Sequence, residues 1–551
     1  MLNTTHKMQI IKGIGINSVS AMGKLRFFRR ERMTRQVQTA KTPQEEQRIF
    51  LEAREKAKKQ LVALYEKAKQ SVGAEEAEIF AIHKMLLEDE EYTETAESFI
   101  FKGESADSAV MSTAESFERM FSELGDDYLS ARAADIKDVS GRLCRIIRGS
   151  EYQKSPEFEE PFILVAEDLS PSETLLLDRS KLLGFITFGG SQNSHTAILA
   201  RAIGIPAVIG TGEISSEFEG KNAIIDSKKG RVIIDPDLAE LDRYTDEMRR
   251  RSEEKLRLKA LIGRPSRTKS GRLVKLYSNI GSPEEAELAY KNDAEGVGLF
   301  RSEFVYLGAA DFPSEQMQYE GYRSAVEKMH GRPVIIRTLD IGADKTTGYF
   351  GLPSEENPAL GFRAIRYCLS NEGVFKTQLR AICRASAHGR VAVMLPMIVS
   401  VSELRRAKEL LIEVKNELRY ECLPFDENIP VGIMIETPAA AVMSPELAKY
   451  ADFFSVGTND LTQYTLAADR QNPKLSRLFE ENLEAVMRLI EIAVKSAHAE
   501  GIWIGVCGEL ASDGEAIERF LKMGMDELSV APSEVLRVRE KIIEFEDNCH
   551  G

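Results

Sequence analysis

At 551 residues the chain is too long for one hydrophobic core, so roughly two to four domains are expected. Apolar residues make up 43% and charged residues 29%, an ordinary globular balance, and the net charge of −14 sets aside nucleic acid and anionic membrane as main partners while leaving room for a basic protein. No apolar run approaches membrane-spanning length, and "MLNTTHKMQIIKG" lacks a signal-peptide core. The cysteines (Cys144, Cys368, Cys383, Cys422, Cys507 and Cys549) are scattered without a C-x-x-C pair. They read as reduced thiols, each by itself a small buried hydrophobe, and a cytoplasmic protein is expected.

In chain order, residues 9–30 alternate small and apolar residues with glycine punctuation, a β pattern. From 42 to 148 strand signals vanish. Thr42 is a candidate N-cap, Pro43 a first-turn proline and Glu45 the partner that completes a capping box. Phe50, Ala53, Ala57, Leu61, Leu64 and Ala68 recur at helical spacing, and further helical stretches are predicted over 75–101, 105–124 and 130–148. This is a helical bundle inserted into the chain. Residues 160–235 return to short strands around one or two helices. A charged helix is then predicted over 236–262, ended by Gly263 and Pro265; its Arg249, Arg250 and Arg251 read as a solvated face.

From 266 onward, eight apolar runs alternate with helical patterns: "LVKLYSNI", "AEGVGLFRSEF", "PVIIRTLD", "VAVMLPMI", "VGIMIETP", "DFFSVGTND", "GIWIGVCG" and "DELSVAP". That rhythm predicts a (β/α)8 barrel, whose C-terminal strand ends share one mouth. Arg301, Arg337, Asp340, Glu436, Asn459, Asp460, Cys507 and Glu509 fall at those ends. Planar guanidinium forks suit phosphate or carboxylate. Two carboxylates on different strands, Glu436 and Asp460, suit Mg²⁺ completed by substrate oxygens. Arg470 adds a cation and Asn459 an amide donor, a set that fits a small, doubly anionic substrate. Each residue alone reads equally as half of a structural ion pair, and Cys507 alone as a packed thiol; the set together points to a ligand.

The stretch "GGSQNSHTAILARAIGIPAVIG" places His195 at the start of a short amphipathic helix, behind Gly189 and Gly190. A helix N-terminus offers free N–H groups to an anion, and a neutral imidazole is a nucleophile near neutral pH. Taken alone, a structural histidine explains the pattern as well. Ser194 and Thr196 beside it have hydroxyls able to bond backbone or ligand.

These motifs together resemble one family. "SHTAILAR" around His195, "GLFRSEF" with Arg301, "RTLDIGADK" with Arg337, "NPALGFRAIR" with Arg363, "GIMIETPAA" with Glu436, "FFSVGTNDLTQYTLAADR" with Asn459, Asp460 and Arg470, and "GVCGEL" with Cys507 resemble phosphoenolpyruvate–protein phosphotransferases, Enzyme I of the bacterial sugar phosphotransferase system. "HKMLLEDEE" is similar to that family's docking region for the small phosphocarrier HPr. The resemblance covers nearly the whole chain. It implies a multidomain α/β protein: a swivelling α/β phosphohistidine domain (1–30 and 150–235), an inserted helical HPr-binding domain (31–149), a helical linker (236–265) and a (β/α)8 TIM barrel (266–551) for phosphoenolpyruvate binding and homodimer formation. It further implies that Arg301, Arg337, Asn459, Asp460 and Arg470 bind substrate and that Glu436 and Asp460 hold Mg²⁺. His195 would take the phosphoryl group, and Cys507 would protonate the enolate; on physical grounds a thiol of near-neutral effective pKa could supply that proton. One departure stands out. The family commonly reads Gly-Gly-Arg-Thr-Ser-His, whereas this chain reads "GGSQNSH", without the arginine and with the glycine pair one residue further from the histidine. Gln192 and Asn193 are then the neutral donors at that place. A dikinase or synthase that also uses phosphoenolpyruvate would need a nucleotide-binding module of a few hundred residues; no Gly-rich P-loop occurs, and the 42–148 zone is too small. A catalytically decayed regulator would not keep the full set of mouth residues.

Overall fold

The computed structural model describes residues 8–546 apart from 29–40, 72–73, 124–126, 150–157, 159, 171–172, 174–179, 191–195, 198–199, 202–203, 308, 310, 343–347, 352–354, 471 and 482. The chain divides into two compact units, residues 1–251 and 252–551.

In the first unit, β1 (Gln9–Lys12), β2 (Ile14–Gly15) and β3 (Ser20–Phe28) are followed by five helices: α1 (Pro43–Ser71), α2 (Ala74–Glu88), α3 (Glu90–Phe101), α4 (Ala106–Glu123) and α5 (Asp127–Ile147). Then come β4 (Phe162–Ala166), β5 (Leu182–Thr187), β6 (Ala207–Ile209), β7 (Asn222–Asp226) and β8 (Arg231–Ile234). The strands form one sheet in the order β1-β8-β7-β3-β4-β5-β6-β2. β3 and β4 are parallel neighbours, so the helical bundle is the crossover between them. Both faces of the sheet are covered: Phe162, Leu164 and Ala166 enter one apolar cluster, Ile163 and Val165 the other. This is the period-two alternation of a strand buried on both sides.

The predicted capping box opens α1. The Thr42 N–H donates to the Glu45 carboxylate at 2.8 Å, and the Glu45 N–H donates to the Thr42 hydroxyl at 3.3 Å. Phe50, Ala53, Ala57, Leu61 and Ala68 from the helical pattern are buried with residues of α2–α5 in one core. The single stretch predicted over 75–101 is two helices. Asp89 has extended backbone and accepts the Tyr92 N–H at 3.0 Å, so it caps α3 instead of continuing α2. The charged connector is α6 (Leu238–Lys259).

In the second unit each of the eight predicted runs is a strand: β9 (Lys275–Ile280), β10 (Val297–Arg301), β11 (Val334–Arg337), β12 (Val391–Leu395), β13 (Val431–Ile435), β14 (Phe453–Val456), β15 (Trp503–Val506) and β16 (Glu527–Val530). All pairings are parallel, and β16 pairs with β9 to close the barrel. One large apolar core lies between strands and outer helices. A smaller one fills the barrel: Tyr277, Leu299, Ile335, Met394, Met434, Phe453 and Cys507.

Candidate active site

Barrel closure brings the sequence-predicted residues to one end. Arg301 closes β10 and Arg337 closes β11; Glu436 follows β13 and Cys507 follows β15 by one residue. Asn459 and Asp460 lie in the first turn of the helix Thr458–Leu466, directly after β14. Arg470 lies past that helix and is exposed.

The floor of this mouth is an ion-pair network. The Arg337 guanidinium donates to Glu303 at 3.0 Å and meets Asp340 at 3.0 Å. Arg363 donates to the same Asp340 at 2.7 Å and to the Tyr464 hydroxyl at 3.3 Å. Burial alone would lower the pKa of both arginines; for Arg337 the charges of Glu303, Asp340 and Glu436 outweigh it, and for Arg363 those of Asp340 and Asp460, so both stay firmly cationic. Asp340 was legible as a polar strand end and Arg363 as part of a motif. Neither is among the predicted ligands, because what makes them the floor is their pairing with each other in the loops after β11. Glu303 carried no such signal: in the sequence it is an acid inside an apolar run.

Glu436 is fully buried. One carboxylate oxygen accepts the Met397 N–H at 2.6 Å, and the other has no hydrogen-bond partner among the described residues. Burial, then the charges of Asp340 and Asp460, push this carboxyl up to about 8 against the pull of Arg337. A Cβ at Gly457 would lie 2.9 Å from the free oxygen, so only glycine leaves that space open. A hard cation fits here, with the orphaned Glu436 oxygen and Asp460 as donors. Among the described residues no third acidic, histidine or cysteine side chain joins them, so water or substrate oxygens would complete the shell.

Cys507 is 2% exposed, and its thiol contacts the Val456 carbonyl at 3.6 Å. Burial pushes it up to about 12, with Glu527 and Glu436 adding to the effect and Ser455 and Arg337 opposing it. The near-neutral thiol expected on physical grounds is therefore corrected. An apolar barrel interior disfavours thiolate, so the group is a fully protonated weak acid. Asn459 is fixed by Glu509: its amide donates at 3.0 Å and its carbonyl accepts the Glu509 N–H at 3.0 Å. Arg301 and Arg470 are exposed and form no ion pair among the described residues.

His195 and the "SQNS" before it lie outside the described residues. Around them, Gly190 has φ +108°, a left-handed backbone that favours glycine. Thr196 is buried and its hydroxyl donates to the Leu169 carbonyl at 3.0 Å, so this hydroxyl serves the fold rather than a ligand.

Residues 255–546 match the family described as "PEP-utilising enzyme, PEP-binding domain", residues 12–132 "PEP-utilising enzyme, N-terminal", and residues 158–230 "PEP-utilising enzyme, mobile domain". The phosphoenolpyruvate-protein phosphotransferase of Priestia megaterium is 39% identical over 534 residues, covering 97% of this chain and 93% of its own. The chain belongs to the phosphoenolpyruvate-protein phosphotransferase family. The Bacillus subtilis member is 39% identical over 97% of this chain and 94% of its own length. The Haemophilus influenzae member is 41% identical over 98% of this chain and 95% of its own. The barrel just described is thus the phosphoenolpyruvate-binding domain of a family enzyme, and the mobile-domain match covers β4 to β7 together with position 195 of the sequence. No described helix is long and apolar enough to cross a membrane.

Proposed function

We propose that this protein moves the phosphoryl group of phosphoenolpyruvate to its own His195 and then to a histidine of the phosphocarrier HPr, releasing pyruvate, as the first step of sugar uptake by the bacterial phosphotransferase system. The observation that carries this reading is the barrel mouth. Paired arginines form its floor, exposed arginines its rim, a carboxylate oxygen without a partner among the described residues faces it, and a protonated thiol lies at its base.

Arg301 and Arg470 bind the phosphate and carboxylate of the substrate, while Arg337, oriented by Glu303 and Asp340, supplies fixed positive charge beneath them. Arg363 holds Asp340 in place. Asn459, already oriented by Glu509, hydrogen-bonds the substrate. Glu436 and Asp460 hold Mg²⁺, which when bound offsets the negative charge on the phosphoryl and enolate oxygens. The His195 Nε2 attacks phosphorus as the bond from phosphorus to the enolate oxygen breaks. The enolate collapses to a ketone as its terminal carbon takes the Cys507 proton, giving pyruvate and a thiolate. A thiol held near 12 keeps its proton until a strongly basic carbon is presented, which suits this role.

The helical bundle receives the carrier. Met85 is exposed, and the acidic run Glu88, Asp89, Glu90 and Glu91 beside it is exposed too, a landing place of opposite sign for a basic partner. The protein is read as a cytoplasmic homodimer joined through its barrel. Incubation with phosphoenolpyruvate labelled in the phosphoryl group, with Mg²⁺, is expected to give an acid-labile, base-stable phosphoprotein in the native chain and none in His195→Ala. Label on the alanine variant, or equal labelling from ATP, would sink the reading.

A further inference from the structure

A second carboxyl lies inside the barrel where the scheme above has no use for it. Glu527 opens β16 and is 1% exposed. Its register partner on β15 is Gly505. Side chains two apart on a strand point the same way, so position 505 faces the interior directly beneath Cys507. The absent Gly505 side chain is the space that the carboxyl fills: a Cβ there would lie 1.8 Å from a Glu527 oxygen. On the other side Gly298 leaves a similar gap. A Cβ at 298 would lie 2.6 Å from the second Glu527 oxygen and 2.5 Å from the Ser529 hydroxyl.

That second oxygen and the Ser529 hydroxyl have no hydrogen-bond partner among the described residues. Ser455 is the register partner of Gly505 on β14, and its hydroxyl too is buried without a hydrogen-bond partner among the described residues. Lys275 pairs with Glu527 in register but makes no ion pair with it among the described residues; its ammonium stacks on the Trp503 ring at 4.5 Å. The groups facing Glu527 are therefore Lys275 and Tyr277 from β9 and the Val506 N–H and Cys507 from β15 and its end. Burial dominates over the pull of Lys275 and the Val506 N–H and raises this carboxyl well above its ordinary value, in favour of the protonated acid. An uncompensated buried acid costs stability, and this one lies one side-chain layer below a proton donor whose upper side bound product would cover.

We propose that Glu527 is the internal proton reserve of the barrel: its carboxyl O–H returns a proton, from one side-chain layer below, to the Cys507 thiolate left after the enolate carbon is protonated. The balance is simple. The carboxyl O–H breaks, an S–H bond forms, Glu527 becomes carboxylate, and a proton from solvent restores it before the next cycle. Glu527 touches no substrate; it acts through Cys507 as a positioning residue for that proton. The inference rests on Cys507 being the proton donor.

The test uses the full-length protein with pyruvate and Mg²⁺ in D₂O, where washout of methyl protons requires Cys507 to be recharged from solvent in every cycle. Single-turnover labelling by phosphoenolpyruvate is read alongside, because it needs no recharging. Glu527→Gln is expected to slow washout by at least about ten-fold while its labelling stays within about two-fold of the native chain; Glu527→Asp, which keeps a carboxyl, falls between. Glu527→Gln washout at the native rate, or equal loss of washout and labelling, overturns the inference. If the glutamine variant does not fold, Glu527→Asp carries the same comparison, and parallel losses overturn it there. Cys507→Ala separates the two levels. Native washout in that variant removes the proton donor and the reserve with it. Abolished washout together with a native Glu527→Gln rate removes the reserve alone.

Discussion

The floor and the rim of the barrel mouth carry the same residue type under opposite conditions. On the floor, Arg337 and Arg363 are buried and hold Glu303 and Asp340. On the rim, Arg301 and Arg470 are exposed and pair with no described carboxylate. A buried ion pair contributes little beyond what desolvation costs, yet losing one partner strands the other's charge. An exposed arginine costs the fold almost nothing to remove. The floor therefore belongs to both stability and function, whereas the rim is free to serve the ligand.

The largest expected effect breaks the floor. Arg337→Met leaves the buried Glu303 without its arginine and Asp340 with Arg363 alone, and is expected to cost about 3–5 kcal/mol, read as a lowered denaturation midpoint of the full chain, together with loss of phosphoenolpyruvate-dependent labelling. A midpoint equal to the native one would show the network to be ornamental. Next is Cys507→Ala, for which pyruvate formation falls by about a hundred-fold with little change in KM, because only the proton is removed. Unchanged kcat takes the proton-donor role away. Arg301→Met sharpens the contrast from the other side. KM for phosphoenolpyruvate rises by about ten-fold while stability stays within about 0.5 kcal/mol; a destabilised variant would mean that rim and floor do not differ as described.

The smallest effect is on stability against pH. The Glu527 carboxyl is raised in the fold from an ordinary value of 4.5, so above that value the folded chain binds more protons than the unfolded one. This stabilising difference is complete below the ordinary value and declines as pH rises through the window above it. Glu527→Gln has no such slope. Its melting temperature relative to the native chain is expected to climb between about pH 5 and pH 8, and a constant offset would place Glu527 in water or in an ion pair.

Much of this was legible before any coordinates. The eight apolar runs became eight barrel strands because a parallel barrel strand is buried on both faces and reads as a continuous hydrophobic run. Thr42 and Glu45 announced the start of α1 because a capping box is a contact across three residues. The same local logic missed the break between α2 and α3, where Asp89 looked like one more charged residue on a helical face. Arg301, Arg337, Glu436, Asp460 and Cys507 were readable as strand ends, and a barrel brings strand ends together.

The sequence by itself determined the parallel barrel, the helical bundle set between two strands and the chemical types gathered at the mouth, since all of these follow from periodicity and from motifs a few residues long. The tertiary structure alone decided which carboxylate meets which arginine, that the Cys507 thiol is driven upward rather than toward neutrality, and that Glu527 occupies the space left by Gly505. Apart from the Arg337–Asp340 pair, three residues apart, those are consequences of strand register and burial, which join residues tens apart and leave no local trace in the chain.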